Sequence, residues 1–131
     1  MNRRNILVGS AALLLAAPAI GRADMHDMLA LVETHKAAAA RVNALVTSMN
    51  DLEDAGIAST DEQESDLHAA HDAAYTALLV VVSAVPSSGA GAKAKADYLI
   101  DLLTGERPHD ELEDEHFIAL LNSVVEQSNA G

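Results

Sequence analysis

Six histidines and 20 acidic residues are the side chains through which this sequence could bind a metal ion. His68, His71 and Asp72 lie at helical spacing, and two imidazoles with one carboxylate suit zinc or copper. His35 and His71 each occupy an apolar position of a helical repeat. If the two helices fold back near residue 58, these two histidines are offset by roughly 15 Å along the axis. They therefore cannot share a metal, and each is expected to be a partly buried histidine with a hydrogen-bonded partner.

A second metal site depends on where an amino-terminal leader is removed. A cut after Ala23 would leave Asp24, Met25 and His26 as the new terminus. Its amine, two backbone amides and the His26 imidazole could hold Cu(II) or Ni(II) in a square plane. A cut after Ala19 is the competing alternative. A periplasmic copper-, nickel- or zinc-binding protein is therefore the second functional hypothesis.

Catalytic patterns are missing from the sequence. It has no cysteine and no Gly-x-Ser-x-Gly turn, and Gly89 and Gly91 lack the rest of a phosphate-binding loop. Residues 51–62 match part of a calcium-loop spacing, but Ala55 stands at a ligand position. We therefore predict that the protein is not an enzyme, and we assign no catalytic, cofactor-binding or metal residue and no cofactor.

Residues 1–23 have the order of an export signal. Arg3 and Arg4 precede an uncharged apolar stretch, residues 6–20, and small residues follow it. This stretch is shorter than the roughly 20 residues that a membrane-spanning helix needs. The arginine pair and the apolar residues after it resemble a twin-arginine signal. We expect removal of this leader and a periplasmic or secreted protein with no stable membrane span.

The acidic composition narrows the range of partners. The chain has a formal net charge of −12, and loss of the leader would leave five basic against 20 acidic residues, a net charge of −15. Such a surface repels phosphate backbones and anionic lipids, so nucleic-acid binding and peripheral membrane binding are not expected. This negative charge does not exclude the binding of metal cations or of a basic protein partner.

Apolar residues at alternating steps of three and four predict two long amphipathic helices, over residues 24–54 and 61–84. The apolar stripe of the first helix is Met28, Val32, His35, Ala39, Val42, Val46 and Met49. The stripe of the second is Leu67, His71, Ala74, Leu78, Val81 and Val85. Both apolar stripes must be buried away from water, so the two helices are expected to pack against each other as an antiparallel hairpin.

Turn residues predict where these helices end. Gly56 is placed to end the first helix. Either Ser59 with Glu62 or Thr60 with Gln63 has the spacing of a capping box at the start of the second.

Two shorter helices are predicted after Pro86, which stops the second helix. Ser87 or Ser88 can cap a third helix over residues 89–104, and a fourth follows over 111–127. The predicted buried face of the fourth helix consists of Phe117, Leu120, Leu121, Val124 and Val125. The sequence thus predicts an all-α fold: a single acidic domain, 24–131, in which a long antiparallel hairpin and two shorter helices form a small bundle.

Residues 77–99, "ALLVVVSAVPSSGAGAKAKADYL", carry a resemblance to a known family. The residues that match its recurring motif are Pro86, Ser87, Ser88, Ala90, Gly91, Ala94 and Tyr98. The chain resembles a family of short exported proteins of alphaproteobacteria, often encoded among phage-derived genes, and this resemblance implies no activity. Gly89, Lys93 and Lys95 depart from the family pattern, so the third helix is expected to pack less deeply here.

Taken together, these features favour an exported, acidic, helical protein that acts as a non-enzymatic binding or structural module. Its partner is expected to be a protein, with a basic protein as one option. Self-association through an alanine-rich seam stays open as well.

Overall fold

The structure is a computed structural model that describes residues 22–105 and 112–130. Within these residues lie four helices and one short two-stranded ladder. The elements are β1 (Arg22–Ala23), α1 (Met25–Asp54), α2 (Asp61–Ser83), β2 (Val85–Pro86), α3 (Gly89–Thr104) and α4 (Asp114–Ala130). The structure is 83% helical, which confirms the predicted all-α small bundle.

The helices α1 and α2 form the predicted hairpin, and their ends follow local capping. The Asp24 carboxylate accepts a hydrogen bond from the Asp27 N–H at 2.8 Å and begins α1. Gly56 follows α1 with a positive φ of 78°, which glycine adopts without steric cost. Of the two predicted capping boxes, Thr60 with Gln63 forms, with hydrogen bonds of 3.1 and 2.8 Å.

The helix α3 runs parallel to α1 from the same end of the fold. Both helices begin next to the paired strands β1 and β2. His35 lies 10 residues into α1 and contacts Tyr98, which lies nine residues into α3. The two helices therefore share a direction and an approximate register.

The helix α4 runs parallel to α2. His116 contacts the backbone of Tyr75, and seven residues further on Ser123 meets the Lys95 amine that also contacts Val82. Val82 likewise follows Tyr75 by seven residues, so the contacts lie in the same order along both helices. The helices α2 and α4 therefore run in the same direction.

Two apolar clusters divide the hairpin into what we call the base and the stalk. The base, where all four helices meet, contains the buried side chains of Val32, Leu78, Val81, Val82, Tyr98 and Leu99. The stalk is the part of the hairpin over residues 42–72, which by the registers above extends beyond α3 and α4. Its seam, which begins at the foot of the stalk, combines Val42, Ala70 and Ala74 with Ala38, Leu45, Val46 and Leu67. At 1.5 Å per residue the stalk is about 18 Å long.

The strands β1 and β2 were not predicted from the sequence. They pair in parallel, and the Ser87 N–H donates a hydrogen bond of 2.8 Å to the Ala23 carbonyl. Ala23 is only 1% exposed, and a Cβ at Gly91 would lie 3.1 Å from its oxygen. The predicted domain start at residue 24 therefore falls between two packed elements, β1 and α1.

The predicted stripe of α1 is confirmed, whereas that of α2 is partly wrong. Five of the seven α1 positions are buried and the other two, Val46 and Met49, are half-buried. In α2, His71 is exposed and Ala70 is buried in its place. The face of α2 that packs on α1 is therefore centred one residue earlier than predicted, on Ala70 in place of His71. The small alanine side chain allows the two helices to approach closely.

The predicted buried face of α4 is wrong. Leu120 is half-buried, but the other four predicted residues are 42–64% exposed: Phe117, Leu121, Val124 and Val125. Among residues 114–128 of α4, the buried side chains are His116 and Ser123, which hydrogen-bond to neighbouring elements. Those polar contacts, rather than hydropathy, set the rotation of α4.

Candidate functional site: the outward face of the last helix

The histidine pair predicted as a metal site lies on the exposed side of α2. His68 and His71 are both exposed, and the His68 Nε2 atom is 3.7 Å from an Asp72 carboxylate oxygen. Across residues 22–105 and 112–130, no group of three or more histidine or acidic side chains could hold a metal ion. The contact between His68 and Asp72 is thus a weak, solvent-exposed one.

The predicted amino-terminal copper or nickel site would require the start of α1 to unwind. His26 lies in the first turn of α1, and Asp24 is the residue that caps this helix. A square-planar site would need the backbone amides between them to leave the helix start. A cut after Ala23 would also remove the Ala23 carbonyl that Ser87 binds.

His35 has the hydrogen-bonded partner that was predicted, and it is fully buried. Its Nδ1 atom shares a hydrogen bond with the Tyr98 hydroxyl, and the rings meet edge to face with centroids 5.7 Å apart. The Lys36 amine lies 5.8 Å from the Tyr98 ring centroid. This cluster ties α1 to α3 within the base.

His116 is a second buried histidine, and it connects α4 to α2. Its Nδ1 atom accepts a hydrogen bond from the Glu113 N–H at 3.0 Å, so the ring proton resides on Nε2. Nε2 then donates to the Tyr75 carbonyl at 3.2 Å. A hydrogen bond to Glu115, with burial and the nearby charges of Glu115 and Glu113, raises the pKa of Tyr75 to about 12. His116 stands three residues after Glu113, the residue that precedes α4. This spacing, which is that of a helix cap, is the signal in the sequence that could have identified His116.

Lys95 joins three elements, contrary to the expectation that it weakens the packing of α3. It is 5% exposed, and its Nζ atom donates three hydrogen bonds of 2.8 Å, to the carbonyls of Val82 and Ala84 and to the Ser123 hydroxyl. The helical partner of the Val82 carbonyl would be residue 86, but Pro86 has no N–H. Lys95 therefore completes the carboxyl end of α2. Burial lowers its pKa to about 8.

These buried polar groups thus hold the helices together. The helix α4, in contrast, presents apolar side chains to solvent. We define the α4 apolar face as the side chains of Phe117, Ile118, Leu121, Val124 and Val125, which are 42–64% exposed. Their offsets of one, four, seven and eight residues place them on one side of the helix.

The size of the α4 apolar face is within the range of functional patches. Five half-exposed side chains present on the order of 500 Å², and single patches of this size on monomeric proteins are often functional. Ile100 and Leu103 of α3 are also exposed, but they form only a pair.

One acidic residue borders this face. Asp114, three residues before Phe117, lies on the same side of α4 and is exposed. Glu115 instead hydrogen-bonds to Tyr75 of α2, and Glu126, nine residues after Phe117, lies on the opposite side of the helix. The helix contains no lysine or arginine. The face is therefore apolar, with a negative charge at its amino-terminal end.

A shallow pocket of about 440 Å³ lies at the turn end of the stalk. It is lined by Val46, Met49, Asn50, Glu53, Ile57, Ala58, Ser59 and Leu67. Its polar lining residues are Asn50, Glu53 and Ser59; Asn50 and Glu53 are exposed, and the Ser59 hydroxyl donates a hydrogen bond to Glu64. The α4 apolar face is the stronger candidate.

Comparisons with protein-family models, with curated proteins and with solved structures give no match to this chain. The family resemblance of residues 77–99 therefore stays a prediction. None of the helices in the described ranges is long and apolar enough to cross a membrane.

Proposed function

We propose that this chain is an exported, acidic, helical protein that binds a protein partner and catalyses no reaction. The observation that carries the proposal is the α4 apolar face. A helix in a small bundle normally turns its apolar stripe toward the core, but α4 turns most of that stripe toward solvent. A second polypeptide that covers the face would remove it from water.

The free energy available from this face is moderate. Full burial of a leucine, valine, isoleucine or phenylalanine side chain contributes about 1.5–3 kcal/mol, so five half-exposed side chains offer on the order of 5 kcal/mol. Loss of translational and rotational freedom on association offsets much of this. A stable complex therefore needs polar or charged contacts around the apolar centre.

We also propose export through the twin-arginine-like leader, with the cut after Ala19. A leader cut there, residues 1–19, lies outside the described residues. The choice of cut is supported by Ala23, which is buried and hydrogen-bonded to Ser87, so a cut after Ala19 keeps β1 whole. Mass spectrometry of protein recovered from the periplasm should find Ile20 as the first residue. A terminus at Asp24, or an intact leader, would contradict this part of the proposal.

Site-specific crosslinking tests the binding function. A photoreactive amino acid in place of Leu121 should crosslink to a second polypeptide in the exporting cell. The matched control is the same substitution at Asn122, which is exposed but lies outside the α4 apolar face. Equal crosslinking at both positions, or none at Leu121, would mean that the face is not the binding surface.

A further inference from the structure

We infer that the pocket at the turn end of the stalk binds a small organic cation, an ammonium or guanidinium group carried on an aliphatic or aromatic body. The pocket is separate from the α4 apolar face, so ligand binding here is a second activity beyond the proposed function. Three properties of the pocket support it: the volume, the apolar lining and the uncompensated negative charge at the rim.

The volume and the lining of the pocket suit a small molecule. Its volume of about 440 Å³ lies within the range of about 300–1,000 Å³ that is typical of small-molecule sites. The apolar lining includes Val46, Met49 and Leu67, which are half-buried side chains of α1 and α2. Ile57, in the turn between these helices, also lines the pocket and is 54% exposed. A ligand with an apolar body would remove this surface from water.

Two carboxylates stand at the rim of the pocket. Glu53 is a lining residue and is exposed. The hydroxyl of Ser59, also a lining residue, donates a hydrogen bond of 3.0 Å to a carboxylate oxygen of Glu64 and so holds that carboxylate beside the lining. In the part of the chain that the structure describes, neither carboxylate lies within ion-pair distance of a lysine or arginine.

The charges around the pocket favour a cation over an anion. Residues 42–92 contain eight acidic residues and no lysine or arginine. Arg41 precedes Glu53 by 12 residues on α1, or about 18 Å along the axis, which exceeds the Debye length of about 8 Å at physiological ionic strength. Arg41 therefore does not neutralise the rim, whereas a bound cation would. An anionic ligand of the same shape would be repelled.

Three matched probes test this site: benzylammonium, benzoate and benzyl alcohol, which share an aromatic body and differ in the charge of the end group. Each is titrated into isotope-labelled protein recovered from the exporting cell, and the amide chemical shifts are followed by NMR. Benzylammonium should shift the amides of residues 46–67 with a Kd of about 1–10 mM, the affinity that ligand efficiency allows for so small a molecule. At an ionic strength of about 0.01 M it should bind at least about fivefold more tightly than benzoate, and this preference should shrink at about 1 M.

Variants locate the binding. Glu53→Gln removes one rim carboxylate, so it should reduce the preference for benzylammonium over benzyl alcohol by about threefold at low salt. The matched control is Asp51→Asn, which changes the net charge equally but lies about 200° around α1 from Glu53 and outside the pocket lining. Ile57→Ser removes part of the apolar lining and should weaken binding of all three probes. Circular dichroism confirms that each variant keeps its helices.

Several outcomes would overturn the cation site. Equal binding of the three probes, or shifts confined to amides outside residues 46–67, would refute it. Methylammonium, which lacks an apolar body, should not bind detectably, and binding as tight as that of benzylammonium would reduce the site to surface charge. An effect of Asp51→Asn equal to that of Glu53→Gln would contradict the role of the rim. Failure of the crosslink at position 121 would instead refute the proposed function and leave this site standing.

Discussion

Replacement of Lys95 by methionine removes the amine that completes the carboxyl end of α2 while keeping a side chain of similar length. The carbonyls of Val82 and Ala84 then lose their donor, and an unsatisfied buried polar group costs about 1–3 kcal/mol. Ser123 keeps its hydrogen bond to the Leu120 carbonyl. Burial of the methionine side chain offsets about 1 kcal/mol. We therefore expect a loss of about 3 kcal/mol in the free energy of unfolding.

Urea denaturation followed by circular dichroism measures this loss, and a thermal scan should show a fall in Tm of roughly 15 °C for a domain of this size. The matched control is Lys93→Met on the same helix. Lys93 is exposed and pairs with Asp97 at 2.6 Å, so its replacement should change stability by less than about 1 kcal/mol. If Lys95→Met also costs less than about 1 kcal/mol, the three hydrogen bonds do not hold the joint as argued.

Further predictions concern pH and two glycines. The stability of the protein relative to Lys95→Met should rise between about pH 8 and pH 10.5, because the folded amine loses its proton at the lower value and the unfolded amine at the higher. The stability of the protein relative to Tyr75→Phe should fall as the pH rises from 10 toward 12, because the phenol ionises first in the unfolded chain. Urea titrations at several pH values test both pH predictions. A stability difference that does not change with pH would contradict them. Gly91→Ala should cost about 1–3 kcal/mol, because its Cβ would lie 3.1 Å from a backbone oxygen. Gly89→Ala, with no atom within 4 Å of its Cβ, should be neutral or stabilising in the same assay, and equal effects of the two substitutions would refute this reasoning.

The ends of α1 and α2 and the start of α3 were predictable to within a residue because their signals are local, whereas α4 begins at Asp114 and not at the predicted residue 111. Thr60 and Gln63 bond each other across three residues, and Ser88 accepts from the Gly91 N–H over the same spacing. Pro86 cannot continue a helix wherever it stands. Such contacts depend on near neighbours in the chain, so the sequence located each cap to within a residue.

The rotation of α4 was not predictable in this way. His116 and Ser123 are buried because Tyr75 and Lys95, 41 and 28 residues away in the chain, supply their partners. Hydropathy instead favoured burial of Phe117 and its neighbours. A single sequence shows which residues are apolar, but not which distant polar groups need a partner. The candidate binding face was therefore recognisable only as an apolar stripe, not as a surface.

The stalk has a consequence for how the protein opens. Five of the seven seam side chains are alanine or valine, which bury little apolar area per turn, whereas the base contains more leucine together with tyrosine and two hydrogen-bonded histidines. Local opening at the turn therefore requires less free energy than opening of the base. Amide protons near residues 50–64 should exchange with solvent through local fraying at the turn. Amide protons beside His35 should exchange only when the whole protein unfolds.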